Sequence, residues 1–212
     1  MERKLEYAYF CASDRADVKS LCVLLHGLGA NGEDLLPIAK MWGKHLPHTA
    51  FFSPNAPEPF LPFETGSYRW FNLQTSDPMI LENGMTKSCA ILNDFLDGLL
   101  AQFGLTNDKL ILMGFSQGAA MALHVGLRRG NPVMGFSGGI FLKEDHPNFK
   151  QVPVLLVHGT HDEVLPIEHM HQAIDYLVAN GITPKTLTCS GAGHCIDEAG
   201  VSAGLTFLKE TL

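Results

Sequence analysis

The sequence predicts an α/β fold built on a mostly parallel sheet that helices cover on both faces. Apolar runs of strand length, such as residues 20–26 and 110–113, alternate along the chain with segments whose apolar residues recur at helical spacing. These runs are continuous, which is typical of strands buried on both faces. Since the sequence contains no internal repeat and no low-complexity tract, we expect one domain over residues 1–212.

The first half of the chain contains three predicted strands and two predicted helices. The strands lie at residues 5–10, 20–26 and 49–53, and the helices lie at residues 35–42 and 83–103. Apolar residues alternate in the first of these strands, so we expect it to be a short edge strand.

Residues 54–78 form a long segment in which five prolines break regular structure repeatedly. A loop of this length is usually functional or disordered, and its aromatic content argues against disorder. Its large apolar side chains are Phe60, Leu61, Phe63, Tyr68, Trp70 and Phe71.

The second half of the chain repeats the alternation of strands and helices. Strands are predicted at residues 110–113, 133–137, 152–158 and 185–189, the last one alternating as an edge strand does. Helices are predicted at residues 119–127, 168–179 and 196–208.

Composition narrows the class of protein. An apolar content of 46% and a charged content of 17% are typical of a globular protein with an ample core. The net charge of −7 and a pI near 5.7 argue against a nucleic-acid partner. No signal peptide and no apolar run of about 18 residues is found, so stable membrane insertion is not expected. Five scattered cysteines without CxxC pairs indicate reduced thiols, and hence a cytoplasmic protein.

A GxSxG motif occupies residues 114–118, between the apolar run that starts at Leu110 and a helical segment. Residue frequencies alone give roughly 0.1 chance matches in a chain of this length. The strand before the motif and the helix after it are the context in which GxSxG forms a nucleophile elbow. The motif therefore predicts that Ser116 is an exposed nucleophile on a strained turn.

A nucleophilic serine needs a base and an acid that orients the base. The loop after the strand at 152–158 contains Asp162, and the glycine-rich loop after the next strand contains His194. The order Ser116, Asp162, His194 is the order expected in this kind of fold. We expect His194 to accept the serine proton and Asp162 to fix its tautomer.

The reaction also needs donors for the oxyanion that forms on the carbonyl oxygen. The backbone N–H of Gln117 follows the nucleophile directly, and Leu28 lies in a glycine-rich loop after an early strand. These two N–H groups are the predicted oxyanion hole.

Several alternatives stay open from the residues alone. His161 neighbours the candidate acid, while His26 precedes the glycine-rich loop and more simply orders it. Glu163 and Asp197 are alternative acids, although Asp197 is placed to cap the last helix. A metal site would use His158, His161, Asp162 and His194, but their spacing matches no familiar metal motif and would leave the GxSxG motif unused. A thiol nucleophile at Cys195 would leave it unused as well.

Five motifs occur in order along the chain: HGLGANGED, NAPEP…SYRWFNL, GFSQGAAMAL, HGTHDEVLP and GAGH. Together they resemble the serine carboxylesterase, lysophospholipase and acyl-protein thioesterase family, and the residues CIDEAG after His194 are more similar to bacterial members. The resemblance implies an α/β-hydrolase fold, no cofactor, no metal, and cleavage of esters or thioesters. It places Ser116, Asp162 and His194 on the family's triad and Leu28 and Gln117 on its oxyanion positions.

The predicted substrate is a small-molecule or lipid ester. Only residues 138–151 separate two neighbouring strands, which is too few for the cap domain of many α/β-hydrolases, so we expect an open site. Phe60, Leu61 and Phe63 are candidates for a wall facing the acyl chain, and Trp70 is a candidate for either the site or the core. A non-catalytic binding protein and a peptidase of the same fold remain alternative functions. A homodimer remains open as the oligomeric state.

Overall fold

The computed structural model describes residues 5–60, 66–75, 77–144 and 147–212. In these residues the strands are β1 (Tyr7–Phe10), β2 (Ser20–Leu25), β3 (Thr49–Pro54), β4 (Glu58–Pro59), β5 (Tyr68–Arg69), β6 (Leu110–Phe115), β7 (Val133–Phe136), β8 (Val154–Gly159) and β9 (Lys185–Cys189). The helices are α1 (Leu36–Gly43), α2 (Pro78–Phe103), α3 (Gln117–Arg129), α4 (Glu168–Ala179) and α5 (Glu198–Thr211).

Seven of these strands form the central sheet, in the order β1-β3-β2-β6-β7-β8-β9. All neighbouring pairs are parallel except β1 with β3, which is antiparallel. The carboxyl ends of β2, β6, β8 and β9 therefore lie at one edge of the sheet, where ligand sites of such folds form. The α/β class and the mostly parallel sheet predicted from sequence are confirmed.

Two hydrophobic cores lie on opposite faces of this sheet. Leu21, Val23 and Leu25 of β2 belong to the core that also contains residues of α2, α3 and α4. Cys22 and Leu24 of the same strand belong to the core formed with α1 and α5. The alternation explains why β2 and β6 are apolar throughout, because each of their two faces is covered by helices.

Several boundaries differ from the prediction, three of them for clear local reasons. α2 begins at Pro78, five residues early, because proline is tolerated in the first helical turn and Asp77 caps the helix by accepting from Met79 N. β7 ends at Phe136 since Ser137 has a φ of 47°. The last helix starts at Glu198, with Asp197 as its N-cap.

The prediction that residues 54–78 lack regular structure is also corrected. Glu58 and Pro59 pair with Tyr68 and Arg69 in a small antiparallel ladder, and the Arg69 guanidinium donates to Glu58 at 3.1 Å. By contrast, the described residues between β7 and β8 form neither helix nor strand, as expected of a fold without a cap domain. Among the described helices, none is long and apolar enough to cross a membrane.

The turn from β6 into α3 brings backbones into direct contact. A methyl group on Gly118 would lie 2.0 Å from the carbonyl oxygen of Leu25 in β2, and one on Gly114 would lie 2.1 Å from the carbonyl oxygen of Gly118. We expect Gly118→Ala to separate these elements and lower the free energy of unfolding by at least about 1–3 kcal/mol, the scale of overpacking in a core. Urea denaturation measures this.

Gly98→Ala is the matched control, because the methyl group at that exposed position in α2 meets no atom within 4 Å. It should stabilise the protein by about 0.5–1 kcal/mol, since glycine is a poor helix former. A Gly118→Ala protein as stable as the wild type would contradict the close contact.

Candidate active site

Ser116 lies at the top of the sheet on a strained turn. Its φ of 54° and ψ of −117° are rare for a residue with a side chain. The turn is held in place because Ser116 N donates to Phe136 O at 2.9 Å and the Ser116 carbonyl accepts from Ala119 N. The strained conformation predicted for the serine is therefore present, and Ser116 is also the N-cap of α3, whose positive end faces the same region.

Asp162 and His194 are brought together by the loops after β8 and β9. His194 Nδ1 donates to Asp162 Oδ2 at 2.8 Å. The other carboxylate oxygen accepts from the backbone N–H groups of Val164 and Leu165 at 3.0 and 2.8 Å. The side chain of Asp162 is fully buried, whereas that of His194 is 17% exposed, so the second ring nitrogen of His194 is the one free for chemistry.

The environment of Asp162 favours its charged form. Burial, the largest single influence, raises the pKa of this carboxyl, but the hydrogen bonds from Leu165 N and His194, the charge of His194 and the hydrogen bond from Val164 N outweigh it. The pKa of Asp162 is consequently below its ordinary value. An ionised Asp162 can stabilise a protonated imidazole.

His158, at the end of β8, supports the same carboxylate. Its Nε2 donates to Leu165 O at 2.8 Å and lies 3.3 Å from Asp162 Oδ2, while its Nδ1 is buried without a partner among the described residues. This residue braces the loop that holds the acid. Nothing in the sequence indicates that role beyond the position of His158 near a strand end.

The backbone N–H groups of Leu28 and Gln117 lie near Ser116 and have no acceptor among the described residues. A methyl group on the neighbouring Gly27 would lie 3.3 Å from Ser116 Cβ, so the two loops are in close contact. Free donors beside a serine are what an oxyanion hole requires.

A network of buried polar contacts holds the Leu28 loop. His26 Nδ1 donates to Gly27 O at 2.7 Å, and its Nε2 accepts from Ala56 N at 3.0 Å, which assigns a neutral ring. The Trp70 indole donates to His26 O at 3.0 Å. The Gln117 side chain accepts from Trp70 N and donates to Phe71 O, at 2.9 and 2.8 Å. The turn at Ser116 and the loop that contains Leu28 are thus linked through Trp70.

Of the two places that the sequence left open for Trp70, the site and the core, the structure shows the core. The side chain is 0% exposed and lies in the core, so it positions the loop instead. Phe60 is 8% exposed and packs near Gly29. A methyl group on Gly29 would lie 3.5 Å from Cδ1 of the Phe60 ring. Leu61 and Phe63 lie outside the described residues.

The alternative residues occupy other places. His161 is exposed and contacts Thr160 Oγ1 at 3.0 Å. Asp197 accepts from Gly200 N at 2.7 Å and caps α5, as expected. Within residues 5–60, 66–75, 77–144 and 147–212, no three His, Cys, Asp or Glu side chains are arranged to hold a metal ion.

An open groove of about 430 Å³ lies between α1 and the loop that contains His194. We call it the α1 groove; its lining includes Asp34, Leu35, Ile38, Phe115, His194 and Ile196. The ring centroids of His194 and Phe115, the residue before Ser116, are 4.9 Å apart. The sequence did not predict this groove, since its lining residues come from segments more than 70 residues apart, and the patterns of Leu35, Ile38 and Ile196 indicate only helices that pack on the core.

A serine on the sharp turn after a central strand, followed along the chain by an acid and a histidine that share a hydrogen bond, is the arrangement of an α/β-hydrolase. The fold and the site thus define the class. The comparison with known proteins gives the family: the profile of the phospholipase/carboxylesterase family matches residues 8–212, and the chain belongs to this family.

Individual relatives agree with this assignment. The chain is 30% identical to an acyl-protein thioesterase 1 of Schizosaccharomyces pombe over 170 residues, covering 74% of this chain and 75% of the relative. The crystal structure of esterase PE8 is similar with a TM-score of 0.89 and 36% identity, covering 99% of this chain and 100% of that one. A carboxylesterase from Mesorhizobium loti, 18% identical with a TM-score of 0.79 over 97% of this chain and 95% of that one, shares the fold.

The buried His26 ring predicts a pH dependence of stability. Burial lowers the pKa of His26 to about 4, against the raising effects of the Gly27 hydrogen bond and of Asp34. In the unfolded chain a histidine binds a proton near pH 6.5. Below that pH the unfolded state gains a proton that the folded state does not, so the free energy of unfolding should fall between pH 6.5 and 4 and level off below.

The test compares the wild type with His26→Gln, whose neutral side chain can still accept from Ala56 N. Between pH 6.5 and 4 the wild type should lose up to about 1.4 kcal/mol per pH unit more than the variant in urea denaturation. His124, whose pKa burial and Arg128 also lower to about 4, titrates in both proteins and cancels in the difference. Parallel stability curves would contradict a neutral, buried His26.

Proposed function

We propose that this protein is a serine hydrolase that cleaves carboxylic esters, thioesters included, through an acyl-serine intermediate at Ser116. The observation that supports this proposal best is the 2.8 Å hydrogen bond between His194 Nδ1 and Asp162 Oδ2. It fixes the tautomer that leaves Nε2 of His194 unprotonated, as a general base must be.

The reaction proceeds in two halves. His194 Nε2 takes the proton of Ser116 Oγ while this oxygen attacks the substrate carbonyl carbon, and the N–H groups of Leu28 and Gln117 stabilise the oxyanion. His194 then donates the proton to the leaving oxygen or sulfur, and the acyl group stays on Ser116. Water deprotonated by His194 releases the acid and restores the serine. Ser116 Oγ has no hydrogen bond to another described residue. In hydrolases of this kind, the hydrogen bond between nucleophile and base is often long without substrate and tightens when substrate binds.

Acylated proteins are a second candidate class of substrate. The relative from Schizosaccharomyces pombe is named as an acyl-protein thioesterase, and both ester classes need the same acyl-serine chemistry. Thioester and oxygen-ester substrates with the same acyl chain distinguish the candidates by their kcat/KM. We further propose that the protein acts in the cytoplasm, which its five free cysteines support.

Ser116→Ala should abolish ester hydrolysis and covalent labelling by a fluorophosphonate while leaving the melting temperature nearly unchanged. The hydroxyl supplies the nucleophile and makes no hydrogen bond to a described residue, so its loss removes chemistry rather than packing. A fall in kcat of roughly 10⁴ or more is expected.

His194→Ala should lose a similar amount, and the double variant should lose little more, because triad residues act as a unit. Multiplied losses in the double variant, or turnover by Ser116→Ala above about a thousandth of the wild-type rate, would contradict the proposed triad.

Phe60 is the described residue best placed to contact an acyl chain, beside the loop that carries the Leu28 donor. We expect Phe60→Ala to reduce kcat/KM for octanoyl esters about 10-fold or more relative to acetyl esters, the scale of a lost apolar contact. Steady-state kinetics with one alcohol and a series of acyl lengths measures this.

Phe10→Ala is the control. It removes a ring of the same size from β1, where Phe10 packs against the core formed with α1 and α5, and it should leave the acyl-length ratio unchanged. If Phe60→Ala lowers all rates alike together with the melting temperature, Phe60 is structural.

A further inference from the structure

The proposed reaction does not use the α1 groove, although the groove opens directly beside the reacting groups. His194 and Phe115 line it together with Gly27, on which a methyl group would lie 3.3 Å from Ser116 Cβ. Leu35, the N-cap of α1, and Ile38 in the first turn of that helix also line it. At about 430 Å³, the groove can hold a small organic group.

The position of His194 decides which part of the substrate the groove can hold. In the first half of the reaction the imidazole transfers the serine proton to the leaving oxygen or sulfur, so this atom has to lie within hydrogen-bonding distance of Nε2. The group attached to that atom then extends along the surface next to His194. Phe60, the described candidate for acyl contact, does not line this groove.

The walls of the groove define the chemistry of that group. Leu35, Ile38, Phe115 and Ile196 are apolar, and the one acidic side chain among its described lining residues is that of Asp34. No lysine or arginine lines it among the described residues, and the whole chain carries a net charge of −7. An anionic group would therefore meet repulsion and lose its hydration without gaining a partner.

We propose that the α1 groove binds the leaving alcohol or thiol of the substrate and selects apolar groups without negative charge over phosphate-bearing ones. This inference rests on the proposed serine-hydrolase function, because it needs His194 as the proton donor. It narrows the substrate class: esters of phosphorylated alcohols should react poorly, whichever acyl chain they carry.

The test keeps the acyl group constant and changes only the leaving group. Hexyl acetate and 6-phosphohexyl acetate differ by one phosphate, and both give the same acetyl-enzyme. We expect the wild type to favour hexyl acetate by more than about 10-fold in kcat/KM, the scale of a pocket's discrimination. Ile38→Lys should reduce this ratio about 10-fold or more, and Ile38→Asp should increase it.

Met41 provides the matched control, because it is a 49% exposed apolar residue of the same helix that does not line the groove. Met41→Lys and Met41→Asp should leave the ratio within about 2-fold, since a charge outside the groove is screened by salt. Hydrolysis of the acetyl-enzyme should be as fast in the Met41 variants as in the wild type, and every folded Ile38 variant should still release acetate. This rate also checks that each variant is folded.

The results that would overturn the proposal are distinguishable. Equal effects of the Ile38 and Met41 variants would mean that the groove binds no part of the substrate. A dependence of the Ile38 effect on acyl length instead of leaving group would assign the groove to the acyl chain. A wild-type protein that forms no acetyl-enzyme would overturn the proposed function as well, whereas Ser116-dependent turnover with an unmoved ratio would overturn the groove alone.

Discussion

The backbone contact between the β6–α3 turn and β2 is the constraint on which the site depends. Gly118 lies so close to Leu25 O that a methyl group would be 2.0 Å from it, and this approach forces the chain to turn at Ser116 with a φ of 54°. The same approach brings the N-terminus of α3 beside the loop after β2. Nucleophile, N–H donors and the positive end of the helix therefore converge because of one packing contact.

Polar contacts in the core extend that constraint to the segment above the site. The Gln117 side chain binds the backbone of Trp70 and Phe71, the Trp70 indole binds His26 O, and Ser88 Oγ donates to Trp70 O. Each of these groups is uncharged, so burial costs little once every hydrogen bond is made. Because one residue supplies both the backbone donor and the anchoring side chain, a change at Gln117 would move both loops together.

The fold could be predicted from the sequence because it depends on local patterns, and the same kind of pattern named Ser116, Asp162 and His194 as candidate site residues. Continuous apolar runs specify buried strands, and the GxSxG motif implies a strand, a turn and a helix together. Trp70 was ambiguous because an aromatic residue in a proline-rich loop has the same composition whether it faces the core or the solvent. What decides is the partner of its indole N–H, His26 O, 44 residues away in the chain. Pro78 was misread because proline both ends and begins regular structure, and only the cap at Asp77 distinguishes the two.

The α1 groove could not be predicted for a deeper reason. Leu35, Ile38 and Ile196 follow helical patterns that only specify contact with the core, and the sheet order, with β6 at its centre and β2 beside it, decides that α1 and the His194 loop become neighbours. In the function proposed here, specificity thus arises from the partly exposed edges of core-forming helices, whereas the proposed triad lies at strand ends. The two can vary separately, because replacing a side chain at the edge of α1 leaves the β6–α3 turn and the Asp162–His194 hydrogen bond intact. A hydrolase without a cap domain can in this way change which leaving group it accepts while its triad stays unchanged.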